Sequence, residues 1–183
     1  EFYCTFGFSL KIRLSLHAPK HTEKYLGDKK RWAVAEDLLR KIVKEKKTDA
    51  FEAIGEAAFY GPKLDFMAKD SLGREWQVAT IQLDINMPER FGLTCVNEKG
   101  ESEQIVMIHA AIMGSIERFL SVMIEHFAGE FPVWLAPVQA KILPVSDKFS
   151  EYGEKVASDM KKEGIRAELS DANETLGKRI REA

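Results

Sequence analysis

What this sequence has little of narrows the possibilities first. It holds two cysteines, Cys4 and Cys95, with no paired spacing, which excludes a disulfide framework and fits reduced thiols in a cytoplasmic protein. No apolar run nears the roughly 20 residues a membrane span needs, and the first residues lack a signal-peptide pattern. No membrane partner is expected. Lys and Arg number 27 against 29 Asp and Glu, a net charge of −2, so no excess of either sign argues for a nucleic-acid partner, although a local basic patch can sit on a neutral whole. Cys4, Cys95, His17, His21 and His126 show no spacing that builds a three-ligand metal site. No methionine precedes Glu1-Phe2-Tyr3, an apolar opening that reads as the interior of a longer chain entering a strand. What remains, 45% hydrophobic and 31% charged over 183 residues, is the composition of a globular protein of one or two domains.

The most patterned stretch runs from Glu103 to Gly129. Ile105 to Ile108 form a continuous apolar run, as a strand buried on both faces would, and the run closes on His109. Gly114 punctuates the chain, Ser115 suits a helix N-cap, and Ile116, Phe119, Leu120, Met123, Ile124 and Phe127 recur at helical spacing up to Gly129. Arg118 falls in the first helical turn, where a cation is mildly disfavoured and an anion binds. A guanidinium there suggests a phosphate-bearing ligand. The competing reading, an exposed arginine paired with Glu117 or Glu125, is the one charge pattern alone favours. A histidine closing a buried strand is likewise more often a hydrogen-bonded core residue than a ligand.

Before this stretch, Leu10, Ile12, Leu14 and Leu16 alternate with polar residues as a half-buried strand. A polar loop holding His17 and His21 leads to Asp28, which can cap a helix with Trp32, Ala35, Leu39, Ile42 and Val43 on its apolar face. Gly61-Pro62 marks a turn. Leu64, Phe66 and Ala68 then alternate through a strand that Asp70 to Gly73 turns into a second, from Glu75 to about Ile85. In this hairpin Ala79, Ile81, Leu83 and Ile85 form one greasy face, while Thr80, Gln82 and Asp84 form a row of hydrogen-bonding groups opposite. A half-solvated sheet would show the same row. Asn97 to Gly100 makes a further hairpin turn between a strand at 92–96 and the one ending at His109. Beyond Pro132, strands at 141–145 and 165–169 flank a helix begun at Ser146, with Tyr152, Val156 and Met160 inward. That alternation implies a parallel α/β unit. The expected fold is therefore α+β: an antiparallel sheet with helices over residues 1–132, then the start of an α/β domain over 133–183.

GSIERF at 114–119, followed by an apolar helix, resembles motif 3 of the class II aminoacyl-tRNA synthetases. With AAFYGPKLDF at 57–66, WQVATIQLDINMPERF at 76–91 and VMIH at 106–109, the chain closely resembles the threonyl-tRNA synthetase family along essentially its whole length. The resemblance implies the C-terminal part of a catalytic core followed by a truncated anticodon-binding domain. It implies an ATP-dependent threonine–tRNA ligase with threonine, ATP with magnesium, and tRNA(Thr) as partners, working as a homodimer. Arg118 matches the motif 3 arginine that contacts ATP and would be catalytic. Gln77 matches an ATP or adenylate contact, Tyr60, Thr80 and Gln82 match residues lining the threonine pocket, and Asn173 lies at a position matching the anticodon site. His109 matches one of three protein ligands of a zinc; the other two are expected upstream of Glu1.

Such a zinc has a physical rationale. Shape alone separates valine from threonine poorly, whereas a site that engages the hydroxyl rejects the analogue lacking it. Gln77 has the wrong strand parity to join Thr80 and Gln82, so either a bulge intervenes or it acts from another direction. Ala110 and Ala172 stand where the family usually has arginine. Motifs 1 and 2 fall outside the sequence, so this stretch alone is not expected to aminoacylate, nor to hold stoichiometric zinc. A non-catalytic synthetase paralogue serving as a binding or regulatory module is the alternative.

Overall fold

A computed structural model describes residues 1–183. The chain divides into two compact units, Glu1–His126 and Phe127–Ala183. No helix is long and apolar enough to cross a membrane.

The first unit begins with a short helix, α1 (Phe2–Thr5), rather than the strand its apolar residues suggest. Tyr3 is buried among Phe2, Phe8 and Phe119, an aromatic cluster that a helical turn can build and an extended segment cannot. Strand β1 (Leu10–Leu16) follows, then α2 (Lys29–Glu45), capped as expected by the Asp28 carboxylate on the amides of Lys30 and Arg31. Next comes β2 (Ala50–Ile54), parallel to β1 and unforeseen in the sequence, then β3 (Lys63–Lys69) and β4 (Glu75–Asp84) as the expected antiparallel hairpin. The rest of the unit is α3 (Met87–Arg90), β5 (Thr94–Val96), β6 (Ser102–Gln104), β7 (Met107–Ala111) and α4 (Ile116–Phe127), whose last residue is the first of the second unit.

Five strands make one sheet in the order β2-β1-β3-β4-β7, antiparallel except at β1/β2. Leu14, Leu16, Leu64 and Leu83 cover one face of it and pack on Ala35 and Leu39 of α2. At about 2 kcal/mol for each buried leucine, this is the contact that orients the sheet. The other face is polar.

Three expectations in and just before the most patterned stretch are corrected. The Ile105–Ile108 run is not a strand buried on both faces. Strand β7 starts at Met107 and continues to Ala111, so His109 sits in its middle, and Val106 and Ile108 are 60% and 65% exposed. The 97–100 turn joins β5 to β6 as a separate two-stranded ribbon, and the chain leaves that ribbon before entering the main sheet. In α4 the buried stripe is Phe119, Val122 and Met123, while Ile116, Leu120 and Ile124 stay about half exposed.

The second unit contains β8 (Ala140–Ile142), α5 (Ser150–Lys162), β9 (Ala167–Leu169) and α6 (Leu176–Glu182). Strands β8 and β9 are parallel and joined through α5, the expected α/β alternation. A side chain at Gly153 would come within 3.0 Å of Leu169 and Pro144, so glycine there lets α5 lie close on the strands. Tyr152 points outward, 69% exposed, contrary to the inward stripe expected of it. Ser146 precedes a short 3-10 turn over Asp147–Phe149 and makes no side-chain cap.

Candidate active site

The polar face of the five-stranded sheet is built around a break in the β3/β4 ladder. Phe66 pairs with Ala79, but Met67 pairs with Gln77, so Val78 is an inserted residue. A bulge of this kind shifts the side-chain parity by one. It turns Gln77 to the side that Thr80, Gln82 and Asp84 occupy, which resolves the parity conflict in the sequence. The bulge frees two carbonyls from regular pairing. The Tyr3 hydroxyl donates to Val78 O at 2.7 Å and Arg118 Nη1 donates to Gln77 O at 3.1 Å.

Asp65, fully buried in β3, is the centre of this face. Its Oδ1 accepts from Gln77 Nε2 and from Thr80 Oγ1, both at 2.9 Å. Its Oδ2 accepts from Ser15 Oγ at 2.7 Å, from Arg13 Nη2 at 3.0 Å, and lies 2.9 Å from Lys63 Nζ. Burial pushes the Asp65 carboxyl up, but hydrogen bonds from Lys63, Ser15 and Thr80 and the Lys63 charge outweigh it and hold the group below its ordinary value. Arg13 Nη2 also donates to Gln77 Oε1 at 2.9 Å, fixing which way that amide faces. The row is not a solvated sheet surface. It is a satisfied network with an ionised carboxylate inside.

Further along β4, Gln82 stands directly across from His109 of β7. The Tyr60 hydroxyl donates to Gln82 Oε1, and the Tyr60 ring meets the His109 ring edge-on at 5.5 Å between centroids. Burial, then the nearby Asp84 charge, raise the Tyr60 phenol above its ordinary value. Tyr60 is delivered by a tight turn. A Cβ on Gly61 would lie 1.8 Å from Leu83 O, so only glycine allows Pro62 O to accept from the Leu83 amide at 2.9 Å. Asn86 Nδ2 holds the Tyr60 carbonyl at 2.9 Å. Asp84, 1% exposed, accepts from the amides of Asn86 and Met87 through Oδ1 and places Oδ2 2.9 Å from His109 Nε2.

Arg118 lies at the third position of α4, as expected, and the Ser115 hydroxyl accepts from its amide at 3.2 Å. Neither acidic neighbour claims its guanidinium: Glu125 is taken by Arg74 at 3.0 and 3.1 Å. The guanidinium is exposed and anchored by one nitrogen, with its other donors open. Asn173 is exposed in the bend between β9 and α6 in the second unit, and is not part of this cluster.

The structure thus brings Tyr60, Gln77, Thr80, Gln82 and His109 to one sheet face, with Arg118 fastened to its bulge. The family model of the tRNA synthetase class II core domain (G, H, P, S and T) matches residues 1–127. The chain belongs to this class II core family. The anticodon-binding domain model matches residues 139–183. Among curated relatives of this class II chain, the threonine–tRNA ligase of Thermus thermophilus is 49% identical over 99% of the chain, and that of Thermotoga neapolitana is also 49% identical over 99%. A crystal structure of the RNA binding domain of threonyl-tRNA synthetase from Cryptosporidium parvum superposes with a TM-score of 0.90 at 36% identity, covering 99% of this chain and 45% of that one. The chain spans 28% of the length of these curated relatives.

No three His, Cys, Asp or Glu side chains converge as a metal cage. The chemistry of His109 suits a single metal ligand, because metal-bound imidazoles commonly rest their second nitrogen on a carboxylate, as His109 does on Asp84. Sequence reasoning missed Asp65, Arg13 and Ser15, and gave Asp84 a place in the polar row without a partner. Charged and hydroxyl residues at alternate strand positions look like a solvent face until the partner strands are known. The Lys63 ammonium also belongs to the Asp65 network. His17, in the polar loop after β1, donates its backbone amide to the buried Glu36 carboxylate at 2.8 Å and packs its ring on Trp32.

Proposed function

We propose that this chain is the part of a threonyl-tRNA synthetase that binds threonine and ATP, followed by the beginning of its anticodon-binding domain, with the division between them near residues 127–133. The convergence of Tyr60, Gln77, Thr80, Gln82 and His109 on one face carries this reading. The whole enzyme would join threonine to ATP: a threonine carboxylate oxygen attacks the α-phosphorus, pyrophosphate leaves, and a terminal ribose hydroxyl of tRNA(Thr) then displaces AMP from the carbonyl carbon.

In this reading Thr80, Gln82 and Tyr60 line the threonine pocket. Gln77 contacts the adenylate, its amide orientation set by Arg13 and Asp65. Arg118 meets the ATP phosphates, which arrive with magnesium, using the donors that Gln77 O leaves open. His109 would serve as one ligand of a zinc that, when bound, supplies a Lewis acid for the amine and hydroxyl of threonine. Asn173, exposed beyond β9, would meet the anticodon. Such an enzyme would work in the cytoplasm as a homodimer, and the 183-residue chain by itself would be inactive.

The test is metal content beside threonine-dependent pyrophosphate exchange in a full-length protein carrying this segment, with and without His109→Ala. The substitution should remove the zinc and abolish threonine activation. A variant that kept full zinc and still rejected valine would return His109 to the role of a hydrogen-bonded core residue.

A further inference from the structure

The surroundings of His109 assign a further role to Asp84. Asp84 is almost fully buried, and its two oxygens do different things. Oδ1 accepts from two backbone amides, Asn86 at 3.1 Å and Met87 at 2.9 Å, where the chain turns into α3. That pair of bonds fixes the rotation of the carboxylate. Oδ2 is left with one partner, His109 Nε2 at 2.9 Å. An ionised carboxylate can only accept a hydrogen bond, and a neutral imidazole carries one proton. With the carboxylate ionised and the imidazole neutral, the proton of this hydrogen bond sits on Nε2 and Nδ1 is the bare nitrogen.

We infer that Asp84 is the positioning residue of this site: it holds His109 in the Nε2–H tautomer and so reserves Nδ1 as the lone pair for an electrophilic ligand. The imidazole is on the neighbouring strand, where His109 pairs with Gln82 and Asp84 with Met107, so the contact is a diagonal one, and a rigid carboxylate at position 84 restricts the ring's rotation as well as its proton. Nδ1 makes no hydrogen bond within the chain that would compete for that lone pair. The inference deepens the ligand reading of His109 and rests on it for its consequence, though not for its geometry.

The geometry also dictates what a substitution does. In Asp84→Asn the single carbonyl oxygen is required at the Oδ1 place by the two backbone amides. The NH2 group then occupies the Oδ2 place and donates to Nε2, so the ring proton moves to Nδ1. One atom's replacement inverts the polarity of the imidazole with little change of shape.

The experiment uses the 183-residue chain labelled with 15N-histidine at about pH 8, where an ordinary histidine is neutral. Four histidines are present, and His109 is assigned by loss of its signals in His109→Gln. In the wild type its Nε2 should resonate in the protonated range and its Nδ1 in the unprotonated range. Asp84→Asn should exchange the two, and Asp84→Ala should leave a mixture. A wild-type ring protonated on Nδ1 overturns the inference without any variant, and so does an unchanged tautomer in folded Asp84→Asn. A second arm measures zinc affinity of the full-length protein, which Asp84→Asn should weaken about 10–100-fold. Zinc retained in full-length His109→Ala would sink the ligand reading of His109; the tautomer result stands or falls on the spectra alone.

Discussion

Gln77 and Thr80 share one oxygen. Both donate at 2.9 Å to Oδ1 of Asp65 although they are three residues apart on a strand, a spacing that places side chains on opposite faces of a regular sheet. The inserted Val78 makes the shared contact possible. Through it, Asp65 decides the polarity of this sheet face. Thr80 gives its only proton to the carboxylate and is left an acceptor.

Replacing Asp65 by Ala should therefore do more than remove a contact. Arg13 and Lys63, whose side chains are 20% and 14% exposed, would lose their shared counter-charge. Of its counter-charges Arg13 would keep only Glu56, at 4.0 Å, and a cost of about 3 kcal/mol is expected from removing the buried partner of these poorly hydrated charges. Urea unfolding of the 183-residue chain measures it; a loss below about 0.5 kcal/mol, the range of ordinary surface substitutions, would show the network to be dispensable.

The bulge should depend on its hydroxyl donor. Tyr3→Phe keeps the aromatic cluster and deletes only the bond to Val78 O, for a loss of about 1 kcal/mol with an unchanged denaturant slope. Burial raises the Tyr3 phenol to about 12, so the bond should persist through mildly alkaline pH. An unaltered midpoint in Tyr3→Phe would mean that the bulge carbonyl finds water instead.

Acid stability has a defined sign. Burial alone would raise the Asp70 carboxyl, but hydrogen bonds from Trp76 and Arg74 and the Arg74 charge win and hold it at about 2, against an ordinary 3.8. A group depressed in the folded state stabilises above its unfolded value, and that contribution is lost as pH falls through the folded one. The wild-type midpoint in urea should accordingly drop more steeply between pH 4 and 2 than that of Asp70→Asn. Parallel curves for the two proteins would contradict the assignment.

Strand β7 is an outer strand of the main sheet, and Ile108 and Val106 leave apolar surface beside its unpaired edge. Such an edge templates association. The 183-residue chain should elute from size exclusion ahead of a monomer and shift towards it in Ile108→Lys. Monomeric behaviour of the unmodified chain at high concentration would refute this.

By itself the sequence determined the elements whose burial follows a simple period. The alternation of Leu10 to Leu16 specified β1, the Asp28 cap and the Trp32, Ala35 and Leu39 stripe specified α2, and the two strands around Asp70–Gly73 specified the hairpin, because each signal is local and each face meets the core as its period requires. Motif resemblance brought Tyr60, Gln77, Thr80, Gln82, His109 and Arg118 into view. Tertiary structure decided the rest. The period of α4 drew Ile116, Leu120 and Ile124 into the same stripe as Phe119 and Met123, yet the aromatic cluster beneath buries only the narrower set. Short β2 carries no strong alternation and exists through its parallel pairing with β1. The parity of Gln77 turned on one inserted residue. Asp65 draws donors from Ser15, 50 positions away, and Asp84 reaches His109, 25 positions away. A buried carboxylate is tolerated only where such donors converge, and convergence across strands is a property of the folded chain that no local pattern records.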